Sequence, residues 1–510
     1  MLLGALTLWI LAPIANTCEE GKVFVVGAGI AGLVAASSLQ KFGCDVTVLE
    51  ALDRLGGRTH TFQTGVFAGT EEGAHWIHGG IDNVPLSTLL DMYKVGQIRV
   101  GGDDDYEGSR SRLLLLSPEN LPLSAAERDL SFDLFESARS ATDIFARGTL
   151  SEKDVGISVA DVWHRALKVN YSAYGQAILD WHQKIAYEQD SGASIQELSA
   201  LGEYVEDYTD FYPNRSAGLE KHGDAYVQGG YSTLVQRLAA GLDVRLQSPV
   251  SRIKYSNESV ALIVNGTELR GASVILTASV GALQAENIAF EPSLPSWKRE
   301  ALKRLGMGNV AKVLVKLSQL VPRLDGVYSL GRLAPRGEGG RNLISYCIWD
   351  ELEHSRPILE CFLGGQQAIS AEMMDAEALK RQVTSELDAA IGSSVVEEVM
   401  ITKWSSNPFI RGAWSYARVN SSAKDFDALA HRVGKLHFAG EATCRLLWGN
   451  VHAAVVSGAR AAHELLHLER NAEESWPLFK HEILQLCTHC PAGSAACQAR
   501  ADLRKAVVYV

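Results

Sequence analysis

Three glycines and one glutamate near the start of the chain have the spacing of a dinucleotide-binding turn. Gly27, Gly29 and Gly32 follow a short apolar run as GxGxxG and open an Ala/Leu-rich segment. The first glycine of such a turn permits the tight bend, the second lets the backbone approach a pyrophosphate, and the third lets helix and strand pack closely. Glu50 follows 18 residues after Gly32, where a carboxylate can accept ribose hydroxyls. We therefore predict a dinucleotide site rather than a glycine turn selected for packing.

Lys312 is a second residue whose surroundings indicate chemistry. It lies in the apolar segment NVAKVLV, which is unusual for a solvated lysine. Burying an ammonium is costly unless the charge is paired or the pKa of the group falls. The alternative is a lysine at a strand edge whose charged end reaches solvent.

The segment LGEYVEDYTDFY alternates carboxylates with aromatic rings. Its carboxylates are Glu203, Glu206, Asp207 and Asp210. Such a mixture suits a long di- or polycation, through charge and through cation–π attraction. A solvated loop is the alternative interpretation for any one of these residues.

The elements that must position these residues begin with a βαβ unit. Residues 22–26 and 45–50 are apolar runs typical of strands, and residues 30–42 form the helix between them. Residues 101–223 are rich in acidic and helix-forming residues, which predicts mostly helices and loops. The β-type runs VRLQS, VSRIKY, SVALIV and SVILTA, between residues 244 and 277, predict a small antiparallel meander.

Later segments predict a further sheet and two more helices. The strands are expected at 312–317, 343–349 and 357–363, and the helices at 371–391 and 452–466. This order predicts a chain that weaves between two domains.

Composition and charge exclude several classes of protein. Of the 510 residues, 46% are apolar and 21% are charged, which is the balance of a soluble globular chain and not of a disordered, collagenous or coiled-coil one. The formal net charge is −12, which argues against general nucleic-acid binding, because phosphate contacts dominate that binding. The same charge favours cationic partners.

The N-terminus indicates the secretory route. Its apolar run MLLGALTLWILAPIA is too short to span a bilayer, which needs about 20 residues. We expect residues 1–17 to be a signal peptide and the protein to be secreted or to stay in the secretory pathway, although no Lys or Arg precedes the run. A buried N-terminal strand or helix is the alternative. Five glycosylation sequons support the same route; they begin at Asn170, Asn214, Asn257, Asn265 and Asn420.

The eight cysteines fall into two groups. Cys18, Cys487, Cys490 and Cys497 lie near the ends, where an oxidising compartment favours disulfides. The tail CxxC could be half of a zinc site, but no second pair matches it, so we expect no metal. The inner group is expected to consist of plain core residues; its members are Cys44, Cys347, Cys361 and Cys444.

Further motifs resemble those of the flavin-containing amine oxidases, which comprise monoamine oxidases, polyamine oxidases and flavin histone demethylases. In the family's order, from about residue 22 to 466, they are VVGAGIAGL, GGRTHT, GAHWIHG, LGMGNVAKV, TKWSSNP, RGAWSY, FAGEAT and VHAAVVSGARAA. GAHWIHG is most similar to the acetylpolyamine and spermine oxidases.

The resemblance implies an α/β plus α+β fold, with a Rossmann-like FAD-binding domain and a second substrate domain of mixed sheet and helices. The FAD-binding domain is expected at 18–100, 224–290 and 400–468, the substrate domain at 101–223 and 291–399, and a cysteine-containing tail at 469–510.

The resemblance also implies FAD as the cofactor, bound by segments from both ends of the chain. Arg58 would pair with the pyrophosphate, the Val250 backbone would meet the adenine edge, and Val451 would bring a helix N-terminus to the flavin pyrimidine, where it stabilises negative charge. Ala413 occupies the place of the cysteine that monoamine oxidases link to the flavin, so we expect FAD to be non-covalent. The full implied set is Gly27, Gly29, Ile30, Ala31, Gly32, Glu50, Gly57, Arg58, Val250, Trp404, Gly440, Glu441 and Val451.

At the reacting centre the resemblance implies three catalytic residues. Lys312 matches the lysine that holds a water beside flavin N5, His78 matches the histidine that hydrogen-bonds the substrate amine, and Trp414 matches one wall of an aromatic cage. His75 is expected to be structural, and core packing is the alternative for Trp414.

The opposite wall of the cage differs from the family pattern. Its candidate positions, Leu447 and Asn450, are not aromatic, and Trp448 lies between them. Either Trp448 serves as that wall or the cage is one-sided. Glu203 and Asp207 complete the expected substrate-binding set.

The implied reaction is oxidation of an amine, most like that of the polyamine oxidases. A hydride passes from the α-carbon to flavin N5, water converts the iminium to an aldehyde, and O₂ is reduced to H₂O₂. The expected partners are a small amine and O₂, without nucleic acid or a stable membrane span. The alternatives are an L-amino-acid oxidase, which needs an arginine for the substrate carboxylate, and an inactive flavoprotein with a binding role, which the weakened cage suggests.

Overall fold

The computed structural model describes most of the chain. The described residues are 21–80, 84–99, 110–151, 153–168, 171–204, 224–319, 321, 324, 326–334, 342–349, 356–392, 396–466 and 478. The carboxylates Glu206, Asp207 and Asp210 of the acidic segment, the sequons at Asn170 and Asn214, the signal region and the four terminal cysteines lie outside these residues. Within them, no helix combines the length and the hydropathy needed to cross a bilayer.

The strands in the described residues are numbered in chain order. They are β1 (Val23–Val26), β2 (Val46–Leu49), β3 (Trp76–Ile77), β4 (Gln97–Arg99), β5 (Leu113–Leu116), β6 (Ala225–Val227), β7 (Asp243–Arg245), β8 (Val250–Tyr255), β9 (Val260–Val264), β10 (Thr267–Gly271), β11 (Ser273–Leu276), β12 (Ala289–Glu291), β13 (Gly306–Met307), β14 (Val310–Leu317), β15 (Ser329–Arg332), β16 (Tyr346–Trp349), β17 (Ile358–Gly364), β18 (Val396–Ile401), β19 (Ser415–Tyr416) and β20 (Leu436–Phe438).

The helices are numbered in the same way. They are α1 (Ile30–Lys41), α2 (Val84–Met92), α3 (Ala125–Thr149), α4 (Val159–Ala166), α5 (Ala173–Gln183), α6 (Ala200–Tyr204), α7 (Tyr231–Ala239), α8 (Val280–Gln284), α9 (Ser296–Arg304), α10 (Gly365–Glu372), α11 (Ala376–Ile391), α12 (Ala423–Ala430) and α13 (Val451–Leu466). A π-helix at Lys184–Gln189 continues α5, and a 3₁₀ turn occupies Glu441–Thr443.

A parallel sheet in the order β20-β11-β1-β2-β7 contains the predicted βαβ unit. Every residue of β1 and β2 is buried, as expected for parallel strands that are covered on both faces. The turn after β1 requires glycine, because Gly27 has a φ of 105° and a Cβ there would lie 2.4 Å from Oγ1 of Thr277. The turn leads directly into α1, so the predicted strand, turn, helix and strand are confirmed.

The predicted meander is smaller than expected. Strands β8, β9 and β10 form it, and β12 joins β8 in parallel. The flanking runs VRLQS and SVILTA instead supply β7 and β11 of the parallel sheet. Both runs were assigned wrongly because a β-type pattern does not reveal which sheet a strand will join.

A six-stranded mixed sheet in the order β18-β14-β17-β16-β15-β5 forms the other main layer. Its central strands β14 and β17 are antiparallel, with Lys312 opposite Phe362 and Val313 opposite Cys361. Because successive side chains point to opposite faces, Lys312 and Phe362 share one face. Val313 and Cys361 share the other, which packs against α10 and α11 in a hydrophobic cluster.

Of two other predictions, that of mostly helices and loops at 101–223 holds for the described residues, and that of one helix at 371–391 needs correction. Residues 101–223 contain a strand as well as helices, since β5 pairs in parallel with β15 at the sheet edge. The single helix predicted at 371–391 is two helices, because Asp375 caps α11 by accepting a hydrogen bond from the Ala378 amide at 2.8 Å. The predicted domain boundaries stay predictions.

The inner cysteines are not plain core residues, so that prediction was wrong. Cys347 and Cys361 are directly opposite each other on β16 and β17 and form a disulfide with a Cα–Cα distance of 3.9 Å. Cys44 and Cys444 are disulfide-bonded as well. Sequence alone missed the first pair because its partners meet only through the register of two strands.

Candidate functional site

A cavity of 1290 Å³ lies at the carboxyl ends of four strands of the parallel sheet and extends to the mixed sheet. The turns after β1, β2, β11 and β20 line one end of it, and residues of β14, β16 and β17 line the other. Ligands of open α/β sheets bind at this edge. The cavity therefore has one end suited to a dinucleotide and another that can hold a second molecule.

Glu50 closes the dinucleotide end. Its Oε2 accepts a hydrogen bond from the Ala28 amide at 2.6 Å, and its Oε1 accepts one from the Leu52 amide at 2.8 Å. Burial raises the pKa of Glu50, while these two amides act in the opposite direction. Gly29 and Gly57 face each other across the turn, with 3.4 Å between the Gly29 Cα and a Cβ built on Gly57. These features fit a ribose and a pyrophosphate at the N-terminus of α1.

The rest of the predicted cofactor set lies along the same cavity, with one exception. Ile30, Ala31, Val250, Trp404, Gly440 and Val451 all line it. Gly32 does not, because it packs against the strand: a Cβ there would meet the Gly27 carbonyl oxygen at 2.0 Å. This contact is the close helix–strand packing expected of the third glycine.

Glu441 connects both ends of the chain. Arg58 donates from Nη1 to Oε1 of Glu441 at 2.9 Å and to the Ala413 carbonyl at 2.8 Å. The other oxygen of Glu441 accepts bonds from the Ser415 hydroxyl at 2.5 Å and the Gly449 amide at 2.9 Å. Glu441 thus links the start of β19 and the segment before α13 to Arg58.

Lys312 is buried at the reacting end. Its Nζ donates to the Glu71 carbonyl at 2.8 Å and lies 3.1 Å from Oε2 of Glu360. Burial acts to raise the pKa of Glu360, but the Lys312 ammonium and the His75 imidazole hold it down to about 2. Glu360 was not among the predicted site residues; its signal in the sequence is a lone carboxylate within the apolar run ILECFLG.

The two histidines of GAHWIHG have different environments. Nδ1 of His78 lies 3.0 Å from Oδ2 of the buried Asp224, whose Oδ1 accepts a bond from the Gly79 amide at 3.0 Å. His75 is buried and stacks between Trp76 and Tyr226, with ring centroids 4.7 and 4.6 Å away. Both histidines line the cavity, but His78 is the exposed one.

The aromatic walls of the cavity differ from the predicted cage. Trp414 lines the cavity, and its Nε1 donates to the Asp190 carbonyl at 3.0 Å. Trp448 also lines it, but its ring stacks on Phe426 at 4.2 Å, so it is held by the core. Further rings in the cavity come from the mixed sheet, where Tyr346 and Phe362 are 6.5 Å apart. Neither ring was among the predicted site residues.

The far end of the cavity carries mixed charge. One face of α3 presents Glu136, Arg139, Asp143 and Arg147 at helical spacing, and Glu203 lies with them. Burial raises the pKa of Asp143, and the charges of Arg139 and Arg147 oppose that rise. Within the described residues, no cluster of His, Cys, Asp and Glu could hold a metal ion.

Comparisons with known proteins agree with this geometry. The family model for flavin-containing amine oxidoreductases matches residues 30–466. Lysine-specific histone demethylase 1 homolog 2 of Oryza sativa is 30% identical over 89% of this chain and 58% of its own length. Probable polyamine oxidase 4 of Arabidopsis thaliana is 28% identical over 87% of this chain and 86% of its own length.

Solved structures show the same fold. Putrescine oxidase bound to putrescine aligns with a TM-score of 0.69 at 20% identity, over 88% of this chain and 99% of that one. Cyclohexylamine oxidase from Brevibacterium oxydans aligns with a TM-score of 0.70 at 22% identity, with the same coverage.

The extent of the match fixes the family. The chain spans 58% of the length of the demethylase relative, and most of the polyamine oxidase relative. The family model covers both ends of the cavity, from α1 to α13, and Ala413 offers no nucleophile for a covalent link. The chain therefore belongs to the flavin-containing amine oxidoreductases, with non-covalently held FAD as its cofactor.

Proposed function

We propose that this chain oxidises a polyamine, or a similar diamine, with O₂ as the electron acceptor. The observation that carries the proposal is one cavity that joins a dinucleotide cradle, the buried Lys312, the aromatic ring of Trp414 and a far end with carboxylates. When bound, FAD supplies the two-electron chemistry that turns the amine into an imine, for hydrolysis to an aldehyde, and O₂ into H₂O₂.

The residues of the chain would orient the amine and control its proton. The rings of Trp414, Phe362 and Tyr346 offer apolar faces to a carbon chain and exclude water from the reacting end. Asp224 fixes the ring of His78 through the 3.0 Å contact at Nδ1, so that His78 can meet the substrate nitrogen in one orientation. Desolvation lowers the pKa of the bound ammonium, so no strong protein base is needed.

The far end supports a substrate with a second positive charge. Glu136, Asp143 and Glu203 line it, and the net charge of −12 attracts cations from a distance. The names of the polyamine oxidase relatives agree with such a substrate.

An L-amino-acid oxidase is a second candidate, and one observation favours it. Arg139 and Arg147 also line the cavity, and a guanidinium is the group that would bind a substrate carboxylate. Because both lie on the face of α3 that carries Glu136 and Asp143, this end of the cavity suits a zwitterion as well as a polycation.

An anaerobic substrate panel distinguishes between these candidate functions. The loaded enzyme is mixed with spermine, N1-acetylspermine, putrescine, benzylamine, leucine or a methyl-lysine peptide, and bleaching of the flavin absorbance is followed. We expect the polyamines to bleach the flavin fastest. If leucine bleaches the flavin fastest, the protein is an amino-acid oxidase. If the methyl-lysine peptide does, the substrate is of the demethylase type. A yellow protein that no amine bleaches would identify a flavoprotein with a binding role.

We also propose that the protein passes through the secretory pathway. The disulfides of Cys44, Cys347, Cys361 and Cys444 support an oxidising compartment, and the sequon residues Asn257, Asn265 and Asn420 are all exposed. Protein from a eukaryotic host should lose mass on treatment with an N-glycosidase. An unchanged mass would count against this route.

A further inference from the structure

We infer that Glu360 is a positioning residue for the oxidation, holding the Lys312 ammonium in one place on the cavity wall and balancing its charge there. The kinetic part of this inference rests on the proposed function. The electrostatic part rests on contacts of the protein alone.

The fold brings the two charges together through strand register. Lys312 on β14 is opposite Phe362 on β17, and Glu360 lies two residues before Phe362 on the same face. The Lys312 and Glu360 side chains are 6% and 0% exposed, and Nζ lies 3.1 Å from Oε2. Both strands lie inside the mixed sheet with a partner on each side, so strand pairing fixes the backbone positions of the two residues.

Because Lys312 and Glu360 are both buried, their pairing matters for the stability of the protein. Removing either partner from a buried ion pair leaves an uncompensated charge, which is strongly destabilising. The pKa of Glu360 is about 2, so this carboxylate is ionised at neutral pH. A carboxylate and an ammonium together contribute no net charge, so the reacting space faces a dipole, whose field is weaker at a distance than that of a lone ammonium.

Two other titratable groups, His75 and Glu71, lie beside this pair, and His75 shares Glu360 with Lys312. Nδ1 of His75 lies 3.2 Å from the same Oε2 of Glu360. Glu71 contributes its backbone carbonyl to Lys312, while its carboxyl accepts a bond from the Tyr231 amide at 2.7 Å. Burial raises the pKa of the Glu71 carboxyl, and the charges of His75 and Lys312 oppose that rise. Glu360 is the carboxylate that lies within ion-pair distance of the Lys312 ammonium, at 3.1 Å.

The substitution Glu360→Gln tests the inference, because glutamine keeps the shape and removes the charge. Without its carboxylate, a buried ammonium releases its proton at lower pH. We expect the absorbance of bound FAD to show a pH transition below about pH 9 that the wild type lacks, and flavin reduction to slow by about 10- to 100-fold. The double variant Lys312→Met/Glu360→Gln should lose the transition, since methionine does not titrate.

Thermal unfolding of the protein supplies a readout that depends on neither substrate nor activity. Glu360→Gln and Lys312→Met should each lower the Tm by at least about 3 °C, and the double variant should recover most of that loss because it buries no unpaired charge. Glu386→Gln is the matched control. Glu386 accepts a hydrogen bond from the Ile344 amide at 3.1 Å and does not line the cavity, so its variant should show no new pH transition.

The outcomes separate this inference from the proposed function. A Glu360→Gln protein with the wild-type pH titration and reduction rate would overturn the inference. So would additive losses of Tm in the double variant, because they would mean that the two side chains act independently. If no amine bleaches the wild-type flavin, the proposed function fails, while the pH titration and the unfolding cycle still decide the role of Glu360.

Discussion

At the scale of single residues, the cavity depends on polar groups that are held by several partners at once. Glu441 accepts bonds from Arg58, Ser415 and Gly449, and Lys312 is held by Glu71 and Glu360. Such polar groups are costly to bury, and their hydrogen-bond partners hold each side chain in one orientation. Their substitution should therefore affect both the chemistry of the cavity and the stability of the protein.

Lys312→Met is the direct test of the lysine. We expect the protein to stay yellow, because the residues that would hold the dinucleotide are unchanged, and flavin reduction or reoxidation to slow by roughly 10- to 100-fold, because an oriented group is lost. Stopped-flow absorbance measures the two half-reactions separately. Lys316→Met is the control, since Lys316 is on the same strand but does not line the cavity. Unchanged rates in both half-reactions would remove Lys312 from the mechanism.

At the scale of elements, local signals were sufficient for the βαβ unit and insufficient for strand partners. The glycine spacing and the apolar runs fixed β1, α1 and β2, because all their signals lie within 30 residues of one another. Glu360 was missed because its partner Lys312 lies on another strand, and the disulfide was missed for the same reason. Spacing left open whether Trp448 serves as the second cage wall; its ring lines the cavity and stacks on Phe426, a contact that spacing cannot reveal.

The disulfide of the mixed sheet should stabilise the layer behind the reacting end. Its cysteines are separated by 14 residues, and a loop of this size predicts a contribution of about 3 kcal/mol. The double variant Cys347→Ala/Cys361→Ala should therefore lower the free energy of unfolding by about 3 kcal/mol in urea titrations. A loss of about this size relative to oxidised wild type would agree with the prediction. No loss relative to oxidised wild type would contradict it.

At the scale of the whole molecule, two layers of different origin enclose one cavity. The parallel sheet supplies the turns around Gly29 and Glu50, and the mixed sheet supplies Lys312 and Phe362. Because the segments of the first layer come from residues 23–49, 243–276 and 436–438, the site forms only when distant parts of the chain are assembled. Global stability and the integrity of the site are therefore linked.

Acid should lower the free energy of unfolding of the protein through a buried histidine, His182. Burial, assisted by the charge of Arg110, lowers the pKa of His182 to about 3. Below the unfolded value of about 6.5 the unfolded chain binds a proton that the native state does not, so stability falls as pH falls from about 6.5 toward 3. Between pH 7 and pH 5 this group should remove about 2 kcal/mol.

The variant His182→Phe isolates that contribution. Phenylalanine can keep the stacking on Phe135, whose ring centroid is 4.9 Å away, and it does not titrate. Urea titrations give the free energy of unfolding at pH 7 and at pH 5. The decrease between these two pH values should be about 2 kcal/mol smaller in the variant than in the wild type. His164→Gln, at an exposed position of α4, is the control and should keep the wild-type difference. An equal difference in all three proteins would show that His182 does not govern it.

The oxidation state of the cysteines affects how well the enzyme resists inactivation during turnover. In the part of the chain that the structure describes, Cys44, Cys347, Cys361 and Cys444 are all in disulfides. Peroxide attacks thiolates and carries them through sulfenic to sulfonic acid. If the enzyme releases peroxide as proposed, it presents no free thiol at these positions to that product, and repeated turnover should not inactivate it by oxidising them.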